Sequence, residues 1–110
     1  MKLQQIEDGI FVSAQISVAN IRTLAKTGFK TIVCNRPDQE EPDQPDFATI
    51  QAAAHQYGIQ AHYIPITPSV IEKSHIEAMQ TILKTAPLPL LAYCCYGTRS
   101  IHLCSLARII

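Results

Sequence analysis

The sequence predicts an α/β fold with a mostly parallel sheet flanked by helices. Three observations carry that expectation. Short β-branched or apolar runs alternate with stretches of helical periodicity through most of the chain. The run Leu88 to Tyr93 is wholly apolar, as expected of a strand buried on both faces. Strands separated by helices pair in parallel through right-handed crossovers.

Each element follows from local signals. Ile10-Phe11-Val12 follows the turn signal Asp8-Gly9 and reads as a short strand or one arm of a hairpin. Ser17 is placed to cap a helix carrying Val18, Ile21, Leu24 and Ala25 on one side, which Gly28 ends. Phe29 to Cys34 has the β-branched density of a strand. Asn35 to Pro45 holds Pro37, Pro42 and Pro45 and is the longest irregular stretch. Phe47, Ile50, Ala54 and Tyr57 recur at helical spacing up to Gly58. Ile59 to Ile66 is the next strand, ended by Pro65 and Pro68. Ile76, Met79, Leu83 and Ala86 form the stripe of a third helix, for which Ser69-x-x-Glu72 and Ser74-x-x-Glu77 offer two capping boxes. A last helix starts near Arg99 and is apolar almost all round, which predicts burial in a core.

At 110 residues, with 47% hydrophobic and 16% charged residues, the chain is expected to form one domain over residues 1–110. The formal net charge is zero, which argues against a general binder of nucleic acid or of anionic membranes. Five of the nine acids (Asp38, Glu40, Glu41, Asp43 and Asp46) lie within nine positions, so elsewhere nine basic residues face four acids. The stretch is either a solvated acidic loop or a loop set against a basic site. No apolar run approaches the ~18–20 residues needed to span a bilayer, and the first residues lack a signal-peptide core. The expectation is a cytoplasmic protein without a membrane partner. Four cysteines in such a compartment read as reduced thiols, and no spacing suggests a metal or other cofactor. Ala107-Arg108-Ile109-Ile110 stays apolar to the end, which implies either a covering subunit, as in a homo-oligomer, or a shortened chain.

The chemistry concentrates in Tyr93-Cys94-Cys95-Tyr96-Gly97-Thr98-Arg99-Ser100, between a buried strand and a helix. In α/β folds, ligands bind outside the carboxyl ends of the strands. Amides at a helix N-terminus attract anions, and a cysteine there has its thiolate favoured. Gly97 lets the chain curl, and Arg99 supplies a planar fork suited to a tetrahedral oxyanion. These are the parts of a thiol that attacks an anionic ester or an anionic sulfur donor. The plainer alternative makes Cys94 and Cys95 small core residues and Arg99 a surface charge. Arg36 is either a second anion contact or a partner of Asp38. Cys34 is either a resolving thiol or a core residue, and the core residue is the simpler reading. Cys95 reads as a small residue that happens to adjoin Cys94, since a vicinal disulfide is strained. His55, His62, His75 and His102 are scattered and read as structural, although a Cys-His relay through His102 is conceivable.

Cys-x-x-Gly-x-Arg-Ser after an apolar strand resembles the signature loop of dual-specificity-type cysteine phosphatases. Ala92 to Ser100 is closer still to the phosphatase-like domain of the beta-lactamase hydrolase-like family. Ile10 to Gln15, Gly28 to Val33 and Asn35-Arg36-Pro37-Asp38 resemble it as well, so the likeness spans nearly the whole chain. The resemblance implies a dual-specificity-phosphatase-like fold. It implies Cys94 as nucleophile, the amides of Cys95, Tyr96, Gly97, Thr98 and Arg99 as a phosphate-binding cradle, and Arg99 as clamp. Ser100 then stands where phosphatases keep a hydroxyl that helps the thiolate leave. Two departures matter. Cys94 to Arg99 is Cys-x4-Arg, whereas such phosphatases use Cys-x5-Arg, and rhodanese-type sulfurtransferases have a loop of the shorter size. The segment Pro65-Ile66-Thr67-Pro68-Ser69 lacks the usual Asp general acid, for which Asp38 or Asp43 is a substitute candidate. Three functions stay open for an anionic phosphate- or sulfur-bearing substrate. They are phosphate monoester hydrolysis through a phospho-cysteine, sulfur transfer through a Cys94 persulfide, and a non-catalytic oxyanion-binding or redox module.

Overall fold

The computed structural model describes residues 1–109. Its elements run β1 (Gln4–Glu7), β2 (Ile10–Ser13), α1 (Val18–Thr27), β3 (Thr31–Cys34), α2 (Phe47–Gln56), β4 (Gln60–Tyr63), α3 (Lys73–Thr85), β5 (Leu90–Tyr93) and α4 (Thr98–Ile109). The sheet order is β1-β2-β5-β3-β4. Only β1 is antiparallel; β2, β5, β3 and β4 run parallel. The α/β class read from the sequence is the observed one.

Side-chain alternation along the strands builds two cores. Ile32, Cys34, Leu91 and Tyr93 face α1 and α2, where they meet Ile21, Leu24, Ile50 and Ala54. Val33, Leu90 and Ala92 face α3 and α4, where they meet Met79, Ile82, Leu103 and Cys104. β5 lies between β2 and β3 and is buried throughout. Its end is therefore the most firmly held point of the sheet, and the Cys94 segment leaves from there.

Local signals explain most boundaries. The Ser17 hydroxyl accepts the Asn20 amide at 3.3 Å, and Asn20 Oδ1 accepts the Ser17 amide at 2.8 Å, closing a capping box. Gly28 ends α1 in the left-handed region at φ 101°, and the Phe29 amide reaches back to the Leu24 carbonyl.

Several expectations need correction. β2 is one arm of a hairpin, and its partner β1 escaped notice because Gln4, Gln5 and Glu7 are exposed and carry no apolar alternation. β3 and β5 start two residues later than expected. β4 covers only Gln60–Tyr63, although the Ile64 and Ile66 amides still bond the Cys34 and Asn35 carbonyls beyond it. Neither serine caps α3. Glu72 is the N-cap, and its amide donates to His75 Nδ1 at 3.0 Å. α4 is not buried all round. Ser100, Leu103, Cys104 and Ala107 face the interior, whereas His102, Ser105 and Leu106 are exposed. The apolar C-terminal end lies partly outside the described residues. Among the described residues no helix is long and apolar enough to cross a membrane, and no cluster of metal-ligating side chains occurs.

Tyr93 gives a direct test of the first core. Its hydroxyl is fully buried with no nitrogen or oxygen partner and only the Cys34 sulfur beside it, and burial raises its phenol above the ordinary range. The neighbouring Cys34 thiol donates instead to the Arg36 carbonyl at 3.3 Å. A buried polar group without a partner destabilises a fold by about 1–3 kcal/mol. Tyr93→Phe is expected to hold or raise stability in urea unfolding by up to about 1 kcal/mol. A clear loss would show that the hydroxyl is satisfied.

Candidate active site

The chain leaves β5 at Tyr93 and reverses into α4 within four residues. Gly97 makes this reversal. Its φ is 95°, a left-handed conformation that L side chains rarely adopt. A Cβ there would stand 3.4 Å from the Ser13 carbonyl oxygen, so the loop also packs closely on the end of β2. The Gly97 carbonyl accepts the first helical bond, from Ile101 at 3.0 Å. Its amide turns back and donates to Cys94 Sγ at 3.0 Å. The amides of Thr98, Arg99 and Ser100 open the helix, where N–H groups lack intrahelical partners. A buried sulfur thus faces one amide directly and sits below the positive end of α4.

Cys94 lies at the base of a pocket of ≈ 530 Å³, with Cys95, Tyr96, Thr98, Arg99, His102 and Arg36 among its lining residues. The structure therefore brings together nearly every residue singled out in the sequence. Tyr96 is 84% exposed at the rim. Thr98 is exposed, and Cys95 is half-buried. Gly97 is buried and does not line this pocket; it faces the end of β2 at Ser13 and Ala14. All four cysteines are free thiols, and His102 is exposed. Cys34 belongs to the first core, where burial raises its thiol above the ordinary value. Cys104 belongs to the second, where burial pushes it up to about 12.

Ser100 is fully buried. Its hydroxyl donates to Asn35 Oδ1 at 2.8 Å, while Asn35 Nδ2 donates to the Ile64 carbonyl at 3.0 Å. That second bond fixes which end of the Asn35 amide faces Ser100. The single hydroxyl proton therefore points to Asn35 and not to Cys94. Asn35 also donates its amide to the Tyr93 carbonyl at 2.8 Å and accepts the Ile66 amide at 3.0 Å. One buried side chain and its backbone tie β5, the segment after β4 and the first turn of α4 together.

The acid at the site is Glu40. Its Oε2 accepts Arg99 Nη1 at 2.8 Å, and its Oε1 accepts Arg99 Nη2 at 2.9 Å. Arg36 Nε donates to the same Oε1 at 3.0 Å. Arg36 Nη1 reaches Gln15 Oε1 at 3.2 Å. Arg36 therefore pairs with Glu40 rather than with Asp38. The Arg99 hydrogen bond, with Arg36 behind it, holds the Glu40 carboxyl below the usual carboxylate range. Arg99 is raised above its ordinary value by the same bond.

Neither acid considered as a substitute proton donor lines this pocket. Asp38 accepts the Phe47 amide at 2.8 Å, and Asp43 is exposed. The loop that carries Glu40 is tied down on both sides. The Asp38 amide donates to Tyr63 Oη at 2.9 Å, and Gln44 Nε2 donates to the Pro37 carbonyl at 2.9 Å. Tyr63 in turn stacks on Phe47 with ring centroids 4.7 Å apart. The acidic stretch is thus set against a basic site, as one of its two readings held. Two signals pointed to Glu40: its i+4 spacing from Arg36, and the basic excess elsewhere in the chain.

Comparison with known proteins matches this architecture. The family described as beta-lactamase hydrolase-like protein, phosphatase-like domain, matches residues 2–110. A beta-lactamase hydrolase-like protein of Xylella fastidiosa (strain Temecula1) is 32% identical over the whole chain, which corresponds to 26% of that protein. The chain thus spans about a quarter of the length of the curated relatives it matches. The crystal structure of a candidate phosphatase from Neisseria meningitidis Z2491 superposes with a TM-score of 0.83 at 39% identity, covering 90% of this chain and 70% of that one. P. aeruginosa TpbA, crystallised with phosphotyrosine, shares the fold with a TM-score of 0.71 at 17% identity, over 98% of this chain and 62% of its own. By sequence and by fold, the chain belongs to the phosphatase-like domain family of the beta-lactamase hydrolase-like proteins.

Proposed function

We propose that this domain hydrolyses phosphate monoesters through a phospho-cysteine on Cys94. The observation that carries the reading is the Gly97 amide, 3.0 Å from a buried Cys94 Sγ at the base of the pocket. Preorganised N–H groups in a site with little water stabilise negative charge without reorganisation at the moment of reaction. They serve the sulfur first and the phosphoryl oxygens next. Arg99 adds a guanidinium at the pocket wall. In the first step the Cys94 thiolate forms an S–P bond, and the ester P–O bond breaks. In the second, water attacks phosphorus, the S–P bond breaks, and the thiolate returns. Ser100 acts here through Asn35, by fixing the first turn of α4.

The leaving oxygen needs a proton, and Glu40 does not supply it. Its carboxylate is held ionised by Arg99 and Arg36. Ile64 to Ile71, where Thr67 bridges to Val70, carry no carboxylic acid, and Glu72 beyond them caps α3. With no acid fixed at the leaving oxygen, the proton comes from Glu41 at the exposed rim, from the phosphoryl group itself when singly protonated, or from water. An absent general acid costs about 10²–10⁴-fold for poor leaving groups. The same feature favours a second reading, sulfur transfer through a Cys94 persulfide, because moving a sulfane sulfur needs no such acid. The short Cys94–Arg99 loop agrees with it.

The two readings separate in one assay pair under reducing conditions. Hydrolysis of p-nitrophenyl phosphate is expected in the wild type and is expected to fall to background in Cys94→Ser. Alkyl phosphates should turn over about 10²–10⁴-fold more slowly, since their leaving group is basic. An inactive wild type that instead transfers sulfur from thiosulfate to cyanide would replace the first reading by the second. Gly97→Ala forces a side chain into φ 95° against the Ser13 carbonyl. It is expected to lower kcat/KM by about a hundredfold, as misplaced catalytic groups do. Unchanged kinetics in that variant would show that the loop geometry is not what drives the reaction.

A further inference from the structure

We propose that Glu40 sets the charge specificity of the Cys94 pocket, making it select tetrahedral anions with one negative charge over those with two. The inference rests on the reading that this pocket binds a tetrahedral oxyanion, and it applies to phosphate ester hydrolysis and to sulfur transfer from a singly charged thiosulfonate.

A guanidinium has five N–H donors. Glu40 takes one from each terminal nitrogen of Arg99, and the Ile66 carbonyl takes a third at 2.9 Å. Nε–H and one Nη2–H are left for a ligand. Arg36 gives one N–H to Glu40 and one to Gln15. The two arginines of the pocket therefore do not present two free positive charges. Glu40 neutralises much of their field at bonding distance, and Glu41 lines the same wall. His102, Tyr96, Cys94 and Cys95 are the remaining titratable side chains of the pocket, and a Cys94 thiolate adds a further negative charge.

An incoming anion meets the loop amides, the free side of Arg99 and a fixed carboxylate just behind that guanidinium. One negative charge is matched by the amides and the fork. A second is opposed by Glu40, whose carboxylate stays fixed on the far side of the guanidinium and, being partly exposed, is screened in part by water. Glu40 does not swing clear easily, because the loop carrying it is pinned at Asp38, Gln44 and Phe47. Gln39, next to it, already adopts a left-handed φ of 67°. The substrate class this defines is a singly protonated phosphate monoester, a sulfonate or a thiosulfonate. For the phosphate ester, the singly protonated form also carries the proton that the leaving oxygen needs.

Two probes of fixed charge test this without relying on titration: methanesulfonate, with one charge, and sulfate, with two. Each is titrated into 15N-labelled protein at constant ionic strength, and the Gly97, Thr98 and Arg99 amides are followed by NMR. The wild type is expected to bind methanesulfonate at least as tightly as sulfate. Glu40→Gln is expected to raise the sulfate-to-methanesulfonate affinity ratio by about tenfold. Glu40→Asp, which keeps the charge, should hold the wild-type preference. Asp43→Asn removes one charge from the same loop without touching Arg99 and should leave the ratio within about twofold. A wild type that prefers sulfate, a Glu40→Gln variant with an unmoved ratio, or an equal shift in Asp43→Asn overturns the proposal alone. Failure of both anions to move those amides in any variant overturns the oxyanion-site reading beneath it.

Discussion

A single backbone reversal at Gly97 organises the functional end of this molecule. The strand before it is the best-buried in the sheet, and the helix after it begins one residue later. Because φ is positive there, one amide turns toward Cys94 Sγ while its carbonyl starts the helix. Contact with the Ser13 carbonyl holds the turn against β2. Sulfur, amide and helix end are thus fixed by covalent geometry and by a packed sheet rather than by mobile side chains. Such preorganisation is what makes hydrogen-bond donors effective toward developing charge.

The second layer is electrostatic and long-range. Glu40 joins Arg36, from the end of β3, to Arg99, from the first turn of α4. Asn35, one residue before Arg36, does the same for backbone and hydroxyl groups. The end of β3 therefore positions the site twice, once through a buried amide and once through a charged network. The network carries a consequence for chemistry: among the described residues Glu40 is the only carboxylate bonded to Arg36 or Arg99, and they hold it ionised.

What the sequence disclosed followed from how local each signal was. Cys94, Gly97, Arg99 and Ser100 lie within seven residues, so their shared chemistry could be read without knowing the fold. The helix caps at Ser17 and Gly28 were equally local. Glu40 lies 59 residues from Arg99, and its one local signal, the i+4 spacing from Arg36, falls in a proline-rich loop where that spacing has no helix to give it meaning. The orientation of Ser100 toward Asn35 depends on a contact over 65 residues. β1 was hidden because a solvated edge strand needs no apolar alternation, and the start of α3 because Glu72 and His75 took the capping role that serines usually fill.

The central claim is that Cys94 sulfur, seated on the Gly97 amide, is the covalent carrier. Rapid acid quench during turnover of p-nitrophenyl phosphate, followed by mass spectrometry of the peptide spanning residues 94–99, tests it most directly. A phosphoryl group on Cys94 that decays as phosphate appears is the expected result. Turnover without that adduct, or with the adduct on Cys95, would contradict it.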